Sequence, residues 1–219
     1  MNRSIAIDGP CGAGKSTIAA LAARRLGGHY LDTGAMYRAV GLFMLENGID
    51  CADASAVAAN VDRAVITLNY DMDNVQHTCL NGRDVSGLIR TPAVSMAASA
   101  VAQVKNVRLA LVARQKQLAG EMFLVADGRD IGTHVITDAA LKIFLTAAPE
   151  ERARRRLAQN GGCFEQVLED INKRDYNDTH REESPLAKAQ DAVEIDTTCM
   201  TIEQVTEKIV GLYRERVAQ

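Results

Sequence analysis

The run Gly9-Pro10-Cys11-Gly12-Ala13-Gly14-Lys15-Ser16 satisfies the pattern G-x-x-x-x-G-K-[ST] at every position. Residue types at this spacing hold polyphosphate. Glycines at 9, 12 and 14 let the backbone curl until its N–H groups face one centre, where they meet anionic oxygens. A helix starting at the end of the run turns its positive end on the same anion. Lys15 brings a full charge to the β- and γ-phosphates, the Ser16 hydroxyl is placed to ligate Mg2+, and Thr17 continues the binding segment. Cys11 lies four residues before Lys15. Its thiol ionises readily if it faces the loop and is an ordinary thiol if it faces outward. Farther along, Asp127 closes an apolar run and suits the role of an acid that holds Mg2+ through water. Read alone, it is also an ordinary strand-end turn residue. Arg38, Arg90, Arg108 and Arg129 fall near expected loops or helix starts. One such arginine would be a solvated surface residue. Several point to phosphate, which planar guanidiniums pair with bidentately.

These residues need elements to position them. Residues 3–8 read as a short buried strand running into the glycine-rich turn. Ile18, Leu21, Ala22 and Leu26 have helical spacing over 16–26, and Gly27-Gly28 stops that helix. A strand at 29–31 and a helix at 34–46 follow. A small helix at 54–61 and strands at 65–70 and 75–80 come next, with a tight-turn signal at Asn81-Gly82. Residues 93–118 return to helix, in one or two pieces. The apolar runs at 122–126 and 141–145 read as strands. Pro149, with Glu150 and Glu151 in the first turn, opens a helix that Asn160-Gly161-Gly162 breaks. Helix resumes over 164–176, a strand covers 192–195, and Ile202, Val205, Ile209 and Leu212 mark a last amphipathic helix. Apolar strands alternating with helices specify an α/β fold, a parallel sheet flanked by helices. Ligands in such sheets collect at the carboxyl ends of the strands.

Composition narrows the function further. The chain has 219 residues, 47% of them hydrophobic, which suits one globular domain with a sizeable core. Its net charge of −3 lacks the basic surplus of a duplex-binding protein, although one small anion needs only a few arginines. The five cysteines are odd in number with no C-x-x-C pair, and the four histidines are scattered. We therefore expect reduced thiols, a cytoplasmic location and no zinc site. No apolar run approaches the length of a membrane helix. Asn172-Lys173-Arg174-Asp175 spells the N-K-x-D by which GTPases read guanine, but it lies in a helical stretch rather than after a strand.

Longer segments carry a family resemblance. They are Gly9-Pro10, Asp32-Thr33-Gly34-Ala35-Met36-Tyr37-Arg38, Val85-Ser86-Gly87-Leu88-Ile89-Arg90-Thr91 and Asp127-Gly128-Arg129-Asp130-Ile131-Gly132-Thr133. With them the chain resembles bacterial cytidylate kinases from residue 3 to the final helix. The resemblance implies a P-loop kinase core over 1–219, a small β-rich acceptor-binding insertion at about 48–92 and a short lid at about 152–166. It implies ATP as co-substrate with Mg2+, CMP and dCMP as acceptors, and a monomer acting without nucleic acid or membrane. UMP or shikimate is the alternative acceptor. Lys15, Arg129, Asp130 and Arg181 would be catalytic. Ser99, Arg108 and Asp130 would surround the cytosine edge, and Arg38 and Arg129 would hold the acceptor phosphate. Thr33, Tyr37 and Arg90 would line the acceptor side. Arg174 and Asp178 would reach the ribose, and Arg181 the phosphate side. Arg154, Arg155 and Arg156 would serve the lid, with Arg155 on ATP; read from spacing alone they are an exposed face paired with Glu150 and Glu151. The chain departs from the family pattern at Cys11, where serine is usual, and in its short turn at 160–163.

Overall fold

The computed structural model describes residues 2–218. Two compact units emerge: Met1–Tyr30 with Ala119–Gln219, and Leu31–Leu118.

The first unit is built on a parallel five-stranded sheet. Its strands are β1 (Asn2–Asp8), β2 (His29–Asp32), β6 (Leu124–Gly128), β7 (Ala139–Thr146) and β8 (Val193–Asp196), in the order β2-β6-β1-β7-β8. The central strand β1 pairs parallel with β6, Ile7 beside Asp127, and with β7, Ile7 beside Ile143. Being flanked on both sides, β1 carries the apolar stretch Ile5-Ala6-Ile7 at its centre, and Ile5, Ile7 and Ile143 are almost wholly buried. Each such side chain contributes about 1.5–3 kcal/mol through burial. One face is covered by α1 (Lys15–Leu26) and α8 (Ile202–Val217), whose Ile18, Ala19, Ala22, Val205, Ile209 and Tyr213 join the strand residues in one core. The alanines of α1 let that helix approach the sheet closely. Phe123 stacks on Tyr213, with ring centroids 5.4 Å apart, and Gly28 leaves room for Phe123, since a β-carbon there would lie 2.8 Å from the ring. Two further helices, α6 (Pro149–Asn160) and α7 (Phe164–His180), complete the unit, and the N-K-R-D run lies within α7 as the sequence indicated.

The second unit contains α2 (Thr33–Glu46), α3 (Ala54–Asn60), α4 (Pro92–Val101) and most of α5 (Lys105–Glu121), with a separate antiparallel sheet of β3 (Ile66–Tyr70), β4 (Gln76–Leu80) and β5 (Arg83–Asp84). Asp32 caps α2, its carboxylate accepting the Ala35 N–H at 2.8 Å. Helices α2 and α4 cross closely because Gly41 has no side chain: a β-carbon there would sit 2.9 Å from the Ala98 nitrogen. Asn81 and Gly82, with φ of 50° and 82°, make the tight turn between β4 and β5 that their dipeptide signalled. Strand β5 itself is only two residues long, too short to show periodicity. Among the described residues no helix is long and apolar enough to cross a membrane.

A three-member strut ties the small sheet together. His77 on β4 meets Asp84 at 2.8 Å through Nδ1 and Asp71 at 3.3 Å through Nε2. The Asp84 and then the Asp71 carboxylate hold the imidazole above its ordinary pKa. Asp84 is held down to about 2 by the hydroxyl and N–H of Ser86, with His77 adding to them. The histidine's contribution is therefore complete below about 6.5 and is lost as pH rises through its raised value. The Asp84 contribution is present above its ordinary value and lost as pH falls toward 2. We expect the melting temperature to fall between about pH 6 and pH 8.5 more in the parent than in His77→Gln, followed by circular dichroism. Parallel profiles in the two proteins would show that the strut contributes nothing.

Candidate active site

The phosphate loop links β1 to α1. Gly9 has φ of 146°, and a β-carbon there would stand 2.1 Å from the Leu145 carbonyl oxygen, so the loop backbone lies directly against β7. Gly12, at φ of 80°, abuts Arg152 in the same way. Lys15 is buried and donates to the Pro10 carbonyl at 2.7 Å. Burial foremost, and then the Arg129 charge, pull its pKa down to about 7 against Asp127, Cys11 and Asp178. An ammonium this poorly compensated gains by meeting an anion. Ser16 donates to one Asp127 oxygen at 3.0 Å, and the Tyr30 hydroxyl donates to the other at 2.8 Å. Hydroxyl and carboxylate together make a pair of hard oxygen donors that could hold Mg2+.

Asp8, which sequence reasoning passed over, governs the next segment. Its buried carboxylate accepts the N–H groups of Ile131 and Gly132, each at 2.8 Å. Burial pushes its pKa up to about 6 despite these bonds, and Asp130 adds to the rise. The two bonds pin a single π-turn at Ile131–Val135, directly after Arg129 and Asp130. The available signal was an acid ending a strand immediately before the glycine-rich run. Tyr30, equally unforeseen, sits at the second position of β2 and has no motif to mark it.

A set of ion pairs surrounds that turn. Arg129 donates to Asp178 at 2.7 Å and to the Gly128 carbonyl at 3.2 Å. Arg181 pairs with Asp130 at 3.2 Å and donates to the Ser184 carbonyl at 2.6 Å. Burial raises the Asp178 pKa, but Arg129, Arg174 and Arg181 outweigh it and hold the carboxyl below its ordinary range, while Arg129 is pushed above its own. Arg174 shares α7 with Asp178, and its buried Nε has no hydrogen-bond partner among the described residues. Of the helix α6 arginines, Arg154 makes an exposed pair with Glu151 at 3.2 Å. Arg155 bonds Glu151 at 3.0 Å and both oxygens of Thr197, at 3.0 and 2.6 Å. Arg156 alone of the three reaches the phosphate loop, 3.8 Å from the Cys11 sulfur.

The acceptor-side residues expected from the other segments lie in the second unit. Arg38 pairs with Asp32 at 2.7 Å, and Arg90 comes within 3.6 Å of the same carboxylate. The buried Nε of Arg38 has no hydrogen-bond partner among the described residues. Arg108 is buried, its guanidinium 5.9 Å from the centre of the Tyr37 ring. Thr33 is buried at the start of α2, and Ser99 is half-buried on α4.

Comparison with known proteins adds three findings. A family model for cytidylate kinase matches residues 5–215. The chain is 48% identical to a cytidylate kinase of Caldicellulosiruptor bescii, over 96% of this chain and 95% of that one. It is 47% identical to a cytidylate kinase of Bacillus licheniformis, over 95% and 94% respectively. Among solved structures it resembles a gluconokinase from Sinorhizobium meliloti 1021, with a TM-score of 0.51 at 12% identity over 98% of this chain and 93% of that one, a likeness of fold alone.

The geometry around Cys11 decides how that thiol behaves. Burial opposes its ionisation, but Arg174, Arg129, Lys15 and Arg156 together bring its pKa below the ordinary thiol value. The Arg156 guanidinium, 3.8 Å from the Cys11 sulfur, sets the thiol among the cations at the loop. We expect ATP to slow alkylation of Cys11 by iodoacetamide while leaving the exposed Cys199 unaffected, as read by peptide mapping. Equal labelling of Cys11 with and without ATP would contradict this placement.

Proposed function

The chain belongs to the cytidylate kinase family, nucleoside monophosphate kinases whose reaction is ATP-dependent phosphorylation of CMP to CDP, and we propose how its residues share that work. The observation that carries the reading is the Lys15–Arg129–Asp178 cluster. Two buried cations oppose each other beside the phosphate loop, and one of them is held short of full protonation at neutral pH. Such a site is completed by polyphosphate.

Loop residues Gly9 to Thr17 wrap the ATP phosphates, and Lys15 lies against the transferring group. Ser16 and Asp127 fit Mg2+ as hard oxygen donors; among the described residues no three acidic, histidine or cysteine side chains converge as a complete cation site, so phosphate oxygens and water would fill the remaining positions. The ion supplies charge neutralisation for the phosphates when bound. Arg129 and Arg181 exchange their carboxylate partners for phosphate oxygens of acceptor and transferring group. Asp130, released from Arg181, accepts from the exocyclic amine of cytosine, aided by Arg108 and Ser99. Arg38 binds the acceptor phosphate, with Thr33, Tyr37 and Arg90 along the same side. Arg174 and Asp178 reach the ribose, which extends the substrate range to dCMP wherever the 2′-hydroxyl contributes little. Arg155 steadies the base of the loop through Thr197, whose hydroxyl lies 3.3 Å from the Ala13 carbonyl, next to bound ATP. The acceptor is itself a phosphate dianion, so alignment and charge stabilisation suffice without a strong general base. We take the chain to act as a monomer, and five free thiols suit the reducing cytoplasm.

A panel of CMP, dCMP, UMP, AMP and shikimate in an ADP-coupled assay tests the reading. CMP should be preferred, and preference for any other acceptor by the parent would overturn it. Asp130→Ala should lower the CMP-to-UMP ratio of kcat/KM by about 1–3 kcal/mol, some 5- to 150-fold. The ratio cancels the general damage of stranding Arg181. An unchanged ratio would remove Asp130 from base recognition.

A further inference from the structure

Arg152 lies outside every motif of the sequence, yet all three nitrogens of its buried guanidinium are engaged. The side chain is 4% exposed. Its Nε donates to the Ala147 carbonyl at 2.9 Å, at the exit of β7. One Nη donates to the Cys11 carbonyl of the phosphate loop at 3.1 Å. The other meets Asp175 of α7 at 2.7 Å. A single planar fork thus addresses three chain segments, and its donor directions are fixed relative to one another.

The loop contact has a directional consequence. The Cys11 carbonyl and the Gly12 N–H belong to one trans peptide plane and point opposite ways. With the carbonyl held against Arg152, the Gly12 N–H is turned away from α6. Gly12 is required for the approach, because a β-carbon there would sit 3.0 Å from the Arg152 β-carbon. At the other end, Asp175 sits one residue after Arg174 and three before Asp178 on α7. Its second oxygen is buried with no hydrogen-bond partner among the described residues, as is the Nε of Arg174. A carboxylate held by one oxygen is free to pivot with whatever moves the guanidinium. A lysine in place of Arg152 reaches one of the three acceptors at a time, so bulk and charge alone do not reproduce the arrangement.

We propose that Arg152 is a positioning residue that couples the peptide at Cys11–Gly12 to α7, so that filling the phosphate loop orders the helix carrying Arg174 and Asp178. The role of α7 in acceptor binding rests on the function proposed above; the mechanical coupling does not. Phosphate binding fixes the Gly12 N–H, the same peptide plane fixes the Cys11 carbonyl, and Arg152 passes the constraint to Asp175. Acceptor-side groups are then aligned only once the donor nucleotide is in place.

Hydrogen exchange read by mass spectrometry on the parent, Arg152→Lys and Asp175→Ala, each with and without ATP, tests the coupling. Asp175→Ala cuts only the α7 arm and keeps the fork at the loop, which covers the case in which the Arg152 variant folds poorly. In the parent, ATP should slow exchange across residues 164–180 as well as in the loop. In Asp175→Ala the loop should still be protected while slowing in α7 is lost. In steady-state kinetics with CMP, Asp175→Ala should lower kcat/KM for the acceptor about fivefold or more with KM for ATP little changed, and adding it to Arg152→Lys should cost little beyond Arg152→Lys alone. The proposal is overturned if ATP slows α7 equally in parent and Asp175→Ala, if it fails to slow α7 in the parent, or if the two substitutions act additively. A parent that transfers nothing to CMP would defeat the acceptor reading instead, and the exchange comparison would still decide the coupling.

Discussion

Positive charge gathered in a buried place, before any anion arrives to neutralise it, is the constraint on which the rest of this site depends. Two like charges about 4 Å apart cost about 4 kcal/mol even at an effective dielectric constant of about 20. The fold meets this by giving buried guanidiniums carboxylate partners: Asp178 for Arg129, Asp130 for Arg181, Asp175 for Arg152. Among the described residues Lys15 has only the Pro10 carbonyl as a direct hydrogen-bond partner, and its depressed pKa is the residue of that conflict. The carboxylates hold the cations in place and can yield them to phosphate, which offers the same bidentate geometry with more charge.

The parallel sheet is what brings these groups together. Strands β1 and β8 end on aspartates, and β6 carries Asp127 one residue from its end. Of the acids on β1 and β6, one orders backbone and the other holds hydroxyls: Asp8 pins the turn after Asp130, and Asp127 gathers Ser16 and Tyr30. The turn would not hold its shape without a buried acceptor, because two successive N–H groups leave the strand there with no strand partner. Asp8 thus stands behind Arg129 and Asp130 although it is nowhere near them in sequence.

What could be read beforehand follows the range of each interaction. The phosphate loop, the Asn81-Gly82 turn and the helical setting of N-K-R-D were legible because spacing and local backbone preference specify them. The run at 122–126 marked a strand whose hydrogen-bonded extent is Leu124–Gly128, since apolar character reports burial and pairing begins two residues later. Helix α7 runs on to His180, beyond the last apolar residue that signalled it. The Asp8 clamp, the π-turn and Arg152 were not legible, because each depends on a partner more than 100 residues away or on a backbone form without a sequence signature. Adjacent helical residues point about 100° apart, so a row of arginines at 154–156 could not say that Arg156 reaches Cys11 while Arg155 turns to Thr197.

In the function proposed, this charge cluster serves transfer between two nucleotides rather than hydrolysis of one. Phosphorus NMR of the parent with Mg-ATP carrying 18O on its γ-phosphate, and with CMP, reads the destination of that phosphoryl group directly through the isotope shift. The labelled group should appear as the β-phosphate of CDP, in step with ADP. Appearance of the label in inorganic phosphate, with CMP left unconsumed, would contradict it.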